Sequence, residues 1–279
     1  MFYLLIAVIV ILILSLLYLL AIMPRILNRP DLSIFRQKLF AHRGLHDNKE
    51  DIPENSMKAF EKAVAAGYGI EMDVQLTKDR IPVILHDFTL QRMCGVKGRV
   101  SQYTYEELRK LRLLNTDEPI PGLKEVLELV QGKVPLIIEL KIEFLDVSVC
   151  QITYQMLREY SGKYCIESFN PWGLRWYRMH HPDVIRGQLS QIFGRHRAKS
   201  NLHTDFMLWT LGNLLFNFFT RPDFIAYDCS DYKSLSRRLC KKLYQNKSVA
   251  WTVRSDKQLE KMKKEFDVFI FENFTPEEE

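Results

Sequence analysis

Residues 69–87 read GIEMDVQLTKDRIPVILHD, and two β-rich runs in this stretch, 69–75 and 82–86, flank the turn TKDRIP. A parallel crossover needs about a dozen residues, so the two runs should form an antiparallel hairpin. In an extended strand residues i and i+2 face the same side, which makes Glu71 and Asp73 project together. Neighbouring carboxylates repel unless a proton or a cation sits between them, and that points to a metal site.

Outward from this hairpin, further β-rich runs fall at 39–42, 136–141, 165–169, 186–189, 224–228, 249–253 and 268–271. Helical patterns separate many of them, among them 56–66, 105–111, 123–130 and 147–160. Strand–helix alternation argues for a parallel sheet, and eight to nine strands in one domain favour a closed α/β barrel of the (β/α)8 TIM type. The hairpin makes that barrel irregular near its second and third strands.

Chemistry gathers at the strand ends. His42 and Arg43 sit at the tip of the first run, inside AHRGLHDNKEDIPENS (41–56), with Glu54 in the entry turn and Asn55 or Ser56 available to cap the next helix. His86 and Asp87 end the third run, and Glu139 and Lys141 share one face of the fourth. Singly these features are weak: a histidine at a strand end is more often structural, paired acids are more often solvated, and Glu-x-Lys is usually a surface pair. The apolar flanks at 83–85 and 136–138 nevertheless mark strands buried on both sides, and buried strands that end in charge need a reason.

The ordered motifs H-R-G, P-E-N-S, E-x-D-V-x-x-T-x-D, P-V-x-x-H-D and I-E-L-K closely resemble the glycerophosphodiester phosphodiesterase family. Weaker matches follow at 120–125, 167–170 and 251–253, so the resemblance runs from Leu39 to Phe274. It implies an acid/base pair in His42 and His86, and a metal set in Glu71, Asp73 and Glu139. It likewise implies phosphate-binding cations in Arg43 and Lys141 and an aromatic wall in Trp251. Two positions depart from the family's habit. Arg254 stands where W-T-V is usually followed by Asn, and Phe271-Glu272-Asn273 stands where Thr-Asp is common. An all-oxygen ligand set favours a hard cation, Mg²⁺ or Ca²⁺. The implied reaction is hydrolysis to glycerol 3-phosphate and an alcohol, with a glycerol hydroxyl attacking the phosphate to give a cyclic intermediate.

Residues 2–23 carry no charged side chain. As a helix rising about 1.5 Å per residue they cover roughly 30 Å, a bilayer's hydrocarbon thickness. A cleaved signal peptide is disfavoured by the length of the run, the missing basic start and the missing small-x-small site before Pro24. The expected organisation is a transmembrane anchor (1–24), a juxtamembrane linker (25–37) and the barrel (38–279). Arg25, Arg29, Arg36 and Lys38 follow the span, which places a single-pass protein's catalytic domain in the cytosol. Five scattered cysteines without a C-x-x-C pair agree with a reducing compartment. The net charge of +5 is mild and its basic residues are interleaved with acids, which argues against nucleic acid as a partner.

A second apolar stretch, 206–219, keeps Thr210, Asn213 and Asn217 at helical spacing and follows the basic residues Arg195, Arg197 and Lys199. It reads either as an interfacial helix on anionic lipid or as an ordinary barrel helix. Lipid contact there would favour a lysophospholipase D acting on membrane lysophospholipids. A reading of another class is a non-catalytic barrel that binds phosphate ligands; the full set of histidines and carboxylates argues against it.

Overall fold

A computed structural model describes residues 1–36, 38–143, 145–193 and 202–276. After helix α1 (Phe2–Ile22) come β1 (Leu39–Ala41), α2 (Met57–Ala65), β2 (Gly69–Leu76), β3 (Pro82–Ile84), α3 (Gln91–Cys94), α4 (Tyr105–Leu108), α5 (Leu123–Val130) and β4 (Leu136–Leu140). The chain continues through α6 (Ser148–Leu157), β5 (Tyr164–Ser168), α7 (Pro171–His180), β6 (Arg186–Ser190), α8 (Leu202–Gly212), α9 (Asn217–Thr220) and β7 (Phe224–Asp228). It ends with α10 (Leu235–Tyr244), β8 (Lys247–Val253), α11 (Asp256–Met262) and β9 (Val268–Phe271).

Eight parallel strands close in the order β1, β2, β4, β5, β6, β7, β8, β9, with β9 returning to β1. β3 lies outside this ring and pairs antiparallel with β2, Val74 opposite Ile84, as the short turn requires. The inserted segment after it forms a small cluster of its own around Leu85, Met93, Leu108 and Ile120.

Alternation along each strand divides the barrel. Ile70, Met72 and Val74 of β2 and Ile138 of β4 face the outer helices. Ile137, Cys165, Phe224 and Val249 belong instead to an inner cluster that also takes in Phe35, from the 3₁₀ turn Ser33–Arg36. Phe40 and Phe224 fit inside because glycines face them: a Cβ on Gly69 would lie 2.4 Å from the Phe40 ring, and one on Gly187 would lie 2.1 Å from the Phe224 ring. The base is thus filled with hydrocarbon, and the polar inward residues are left to the C-terminal rim.

α1 is exposed from Phe2 to Leu17 and docks by its last turn. The Tyr18 hydroxyl meets Ser236 at the start of α10, at 3.0 Å, while the Arg25 amide donates to Pro222 just before β7. Ile22 is fully buried, and its carbonyl accepts from Asn217 Nδ2 at 2.9 Å and from Cys240 Sγ. Residues after the helix lie along the base, where Arg25 pairs with Asp223 and Arg29 donates to the carbonyls of Tyr244 and Gln245.

Of the two caps expected for α2, Ser56 takes the role by accepting from the Ala59 amide, and Asn55 donates to Asp73 instead. Two local expectations are corrected. The helix at Tyr105 stops at Leu108 rather than at 111. The stretch 206–219 is not one helix: α8 ends at Gly212, whose would-be Cβ lies 2.9 Å from the Gln191 carbonyl, and Leu214 has φ 59°. Asn217, expected on the polar face, is buried against the end of α1. Arg195, Arg197 and Lys199 lie outside the described residues.

Candidate active site

The register brings the acids into line. Asp73 is paired with Glu139 across β2 and β4, and Glu139 with Glu167 across β4 and β5; Glu71 lies two residues below Asp73 on the same face. Carboxylate oxygens of Glu71, Asp73 and Glu139 all fall within 4.8 Å of one another, and all three residues are buried. The Lys141 ammonium reaches Glu139 at 2.9 Å and Asp73 at 3.4 Å. Arg43 Nε lies 3.4 Å from Asp73, and Asn55 Nδ2 donates to the same carboxylate at 2.9 Å.

These surroundings divide the acids. Burial, the negative charges of Asp73, Glu167 and Glu139, and too little help from Arg43 push Glu71 well above its ordinary value. Burial also raises Glu139 despite Lys141. Burial acts on Asp73 too, but Lys141, His86 and Arg43 outweigh it and hold that group below the usual carboxylate range. Glu167 is driven well up by burial and by Glu139 and Asp73. Sequence reading gave Glu167 no role; its signal was a second acid at the level of Glu139 on the neighbouring strand.

Arg43 occupies the left-handed region at φ 55°, followed by Gly44 at φ 80°, in the tight turn that follows β1. That turn aims the Arg43 amide at Glu71 Oε2, 3.1 Å away, and its guanidinium at Glu54 Oε1, 2.6 Å away. Non-glycine residues rarely adopt this region, and such outliers cluster at functional sites.

The two histidines share a construction. His42 Nδ1 is hydrogen-bonded to Glu272, whose other oxygen accepts from Arg254 Nε at 2.8 Å; His42 Nε2 faces Glu71 Oε2 at 3.8 Å. His86 Nδ1 meets Asp87 Oδ1 at 2.7 Å, and Asp87 is held by Arg92 Nε at 2.6 Å. Arg92 also donates to Glu54 at 2.7 Å, so a chain of ion pairs links His86 through Asp87, Arg92 and Glu54 to Arg43. Burial lowers His42 from its usual value against the pull of Glu272. Glu272 in turn is lowered to about 2: burial opposes, but His42 and Arg254 prevail. The two departures from the family's habit, Arg254 and Glu272, therefore meet on one histidine.

Trp251 packs edge-to-face on Phe169, with ring centroids 5.6 Å apart, and its indole N–H is buried without a hydrogen-bond acceptor. His46 was not anticipated: its ring is buried beside the site with neither nitrogen hydrogen-bonded. Of the expected residues, the trio of acids, Arg43, Lys141 and His42 come into contact, and His86 lies close enough to lower Asp73 electrostatically.

Fold and rim together define a parallel α/β barrel with a buried acidic cluster, able to hold a metal ion, at its C-terminal end. A model of the glycerophosphoryl diester phosphodiesterase family matches residues 42–209, more than half the chain. A glycerophosphodiester phosphodiesterase of Caldanaerobacter subterraneus is 36% identical over 164 residues, covering 55% of this chain and 66% of that one. One from Bacillus altitudinis is 44% identical over 113 residues, 38% of this chain and 45% of its own. The matches thus span about half to two thirds of the length of these relatives. Among solved structures, a phosphodiesterase of Oleispira antarctica in complex with the product sn-glycerol-3-phosphate superposes with a TM-score of 0.66 at 23% identity, covering 84% of this chain and 92% of that one. A Thermotoga maritima glycerophosphodiester phosphodiesterase gives 0.63 at 22% identity, over 84% and 93% of the two chains. Identities this low speak for the fold. The chain belongs to the glycerophosphoryl diester phosphodiesterase family.

Proposed function

We propose that the chain hydrolyses glycerophosphodiesters to glycerol 3-phosphate and an alcohol, with Glu71, Asp73 and Glu139 holding one divalent cation. The observation that carries this reading is a buried carboxylate trio beside two histidines whose Nδ1 atoms are already engaged. The donor set fits a cation. Lys141 and Arg43 serve Asp73 and Glu139, yet Glu71 stays crowded by negative charge, and Asp73 Oδ1 accepts no hydrogen bond, its nearest cation being the Lys141 ammonium at 3.4 Å. All donors are oxygens, which favours Mg²⁺ or Ca²⁺. Such an ion supplies positive charge where negative charge grows on the phosphate.

The chain's own groups account for the rest. Arg43 and Lys141 add positive charge beside the phosphate. Glu272 and Asp87 accept the Nδ1 protons, which leaves each Nε2 free to take or give a proton. One imidazole removes the proton of the glycerol 2-hydroxyl, whose oxygen attacks phosphorus to form a five-membered cyclic phosphate. The other protonates the departing alcohol, and the roles reverse as water opens the ring. Holding the hydroxyl next to the phosphate is worth an effective molarity on the order of 10⁵–10⁸ M. The test is product analysis with glycerophosphocholine, with and without chelator. Glycerol 3-phosphate and choline that vanish on chelation are expected; product from lysophosphatidylcholine alone, tested alongside, would favour the lysophospholipase D, and no product from either substrate with the metal-loaded protein would leave only the non-catalytic phosphate-binding barrel.

The same reading takes residues 1–24 as an uncleaved single-pass anchor, 25–37 as the segment that crosses the base, and 38–279 as the barrel facing the cytosol. Its support is Ile22, buried in the domain core with its carbonyl bonded by Asn217 and Cys240, because cleavage would strip a packed residue from the fold. Protease digestion of sealed vesicles tests the orientation: the barrel should be cut only where the cytosolic face is outward.

A further inference from the structure

An apolar cavity of about 660 Å³ opens directly off the acidic rim, sharing Glu139 and Lys141 with it. Away from those two residues its walls are largely hydrocarbon and aromatic, including Phe88, Ile142, Phe169, Trp172, Leu208 and Leu211. Glycerol, phosphate and a small polar alcohol give such a surface nothing to bind. Pockets of this size commonly enclose most of an apolar ligand.

The surroundings say where a ligand would come from. α8, which supplies the outer wall, exposes Leu202, Phe206, Met207 and Trp209. α8 follows β6 and its last turn is tied to the rim, with Ser190 Oγ donating to the Leu211 carbonyl and Tyr227 Oη donating to that of Gly212. α1 runs from rim to base, since Tyr18 meets the start of α10 and Arg25 meets the residue before β7. Its exposed part, Phe2–Leu17, about 24 Å long at the helical rise, therefore leads away from the base toward the side of the rim that carries the acids. Ser236 bonds both Tyr18 and Asn213, so α1 and the end of α8 leave the rim together. A bilayer crossed by α1 lies over the mouth of the barrel and against the exposed face of α8.

We infer that this cavity receives the single hydrocarbon chain of a lipid-borne phosphodiester drawn from that bilayer, with the phosphate at Lys141 and the acids; the inference rests on the hydrolase reading. The chain is carried either by the glycerol, as in a lysophospholipid, or by the leaving alcohol. With substrates dispersed below their critical micelle concentration, kcat/KM of the full-length protein should rise about three- to fourfold for each added methylene until the cavity fills. Comparing chain-bearing glycerol with chain-bearing alcohol identifies the source. Leu208→Trp, which fills the cavity away from the acids, should erase the chain-length gain while the rate on glycerophosphocholine stays within about twofold. Binding of uncleavable alkylphosphocholines gives a second readout that needs no turnover and applies to the unsubstituted protein. Binding and kcat/KM that both ignore chain length overturn the cavity assignment and leave the hydrolase reading intact. Chain-dependent binding that Leu208→Trp abolishes, with no turnover of any diester, upholds the cavity and sinks the hydrolase reading instead.

Discussion

Each imidazole of the proposed acid/base pair is backed by a carboxylate, and each carboxylate by an arginine. Partners of this kind fix the tautomer and ring angle, and losing one typically costs about 10–100-fold. Glu272→Gln and Asp87→Asn should each lower kcat by that factor with little change in KM. His42→Ala and His86→Ala should each cost roughly 10²–10⁴-fold. Because Glu272 acts through His42, Glu272→Gln should cost little more in a chain that already carries His42→Ala. Steady-state kinetics decide it, and full additivity would detach Glu272 from the histidine. A pH effect follows from Glu54, which burial would raise but Arg92 and Arg43 hold well below its ordinary value. A depressed acid stabilises the fold above its unfolded pKa, about 4.3, and that contribution is lost as pH falls below it. The melting temperature should therefore drop between about pH 5 and pH 3, and Glu54→Gln should flatten that part of the curve.

At the level of strands and helices, periodicity made the framework legible. The run 136–141 begins apolar on both faces, at 136–138, and β4 came out within a residue of its expected bounds. TKDRIP was too short for a crossover, and β3 pairs antiparallel. The carboxylates were legible because i, i+2 spacing fixes a face whatever the rest of the chain does. The buttresses were not: Glu272 lies 230 positions from His42 and Arg92 lies 38 from Glu54, and no local pattern encodes which distant ends meet. The break between α8 and α9 was hidden for the same reason, since Asn217 answers to a carbonyl 195 residues away. The inner glycines could be recognised only once their neighbours were known. Gly187→Ala sets a methyl carbon against the Phe224 ring and should cost about 1–3 kcal/mol in urea unfolding. Phe224→Leu in the same chain should recover part of that loss; no recovery would place the strain elsewhere.

Across the whole molecule, stability should depend on what fills the rim and on what holds α1. Divalent cation at about one hundred times its Kd should add roughly 2.7 kcal/mol and raise the melting temperature, and Glu71→Gln should remove most of that response. Equal shifts in both proteins would place the ion away from Glu71. Ile22→Ala should cost about 2–5 kcal/mol although Ile22 belongs to the apolar N-terminal helix, because its side chain lies in the domain core. A chain beginning at Tyr18 should instead keep its melting temperature and lose its affinity for vesicles, as the residues removed are exposed.

The clasp of Asn217 and Cys240 on the last carbonyl of α1, with Tyr18 tied to Ser236, makes the helix a strut rather than a tether. On the proposed bilayer crossing, a strut would keep the mouth of the barrel at constant height and constant tilt over the lipid. Encounters would then become a search in two dimensions, with head groups selected by depth: a phosphate riding higher or lower than the acids would pass by uncut.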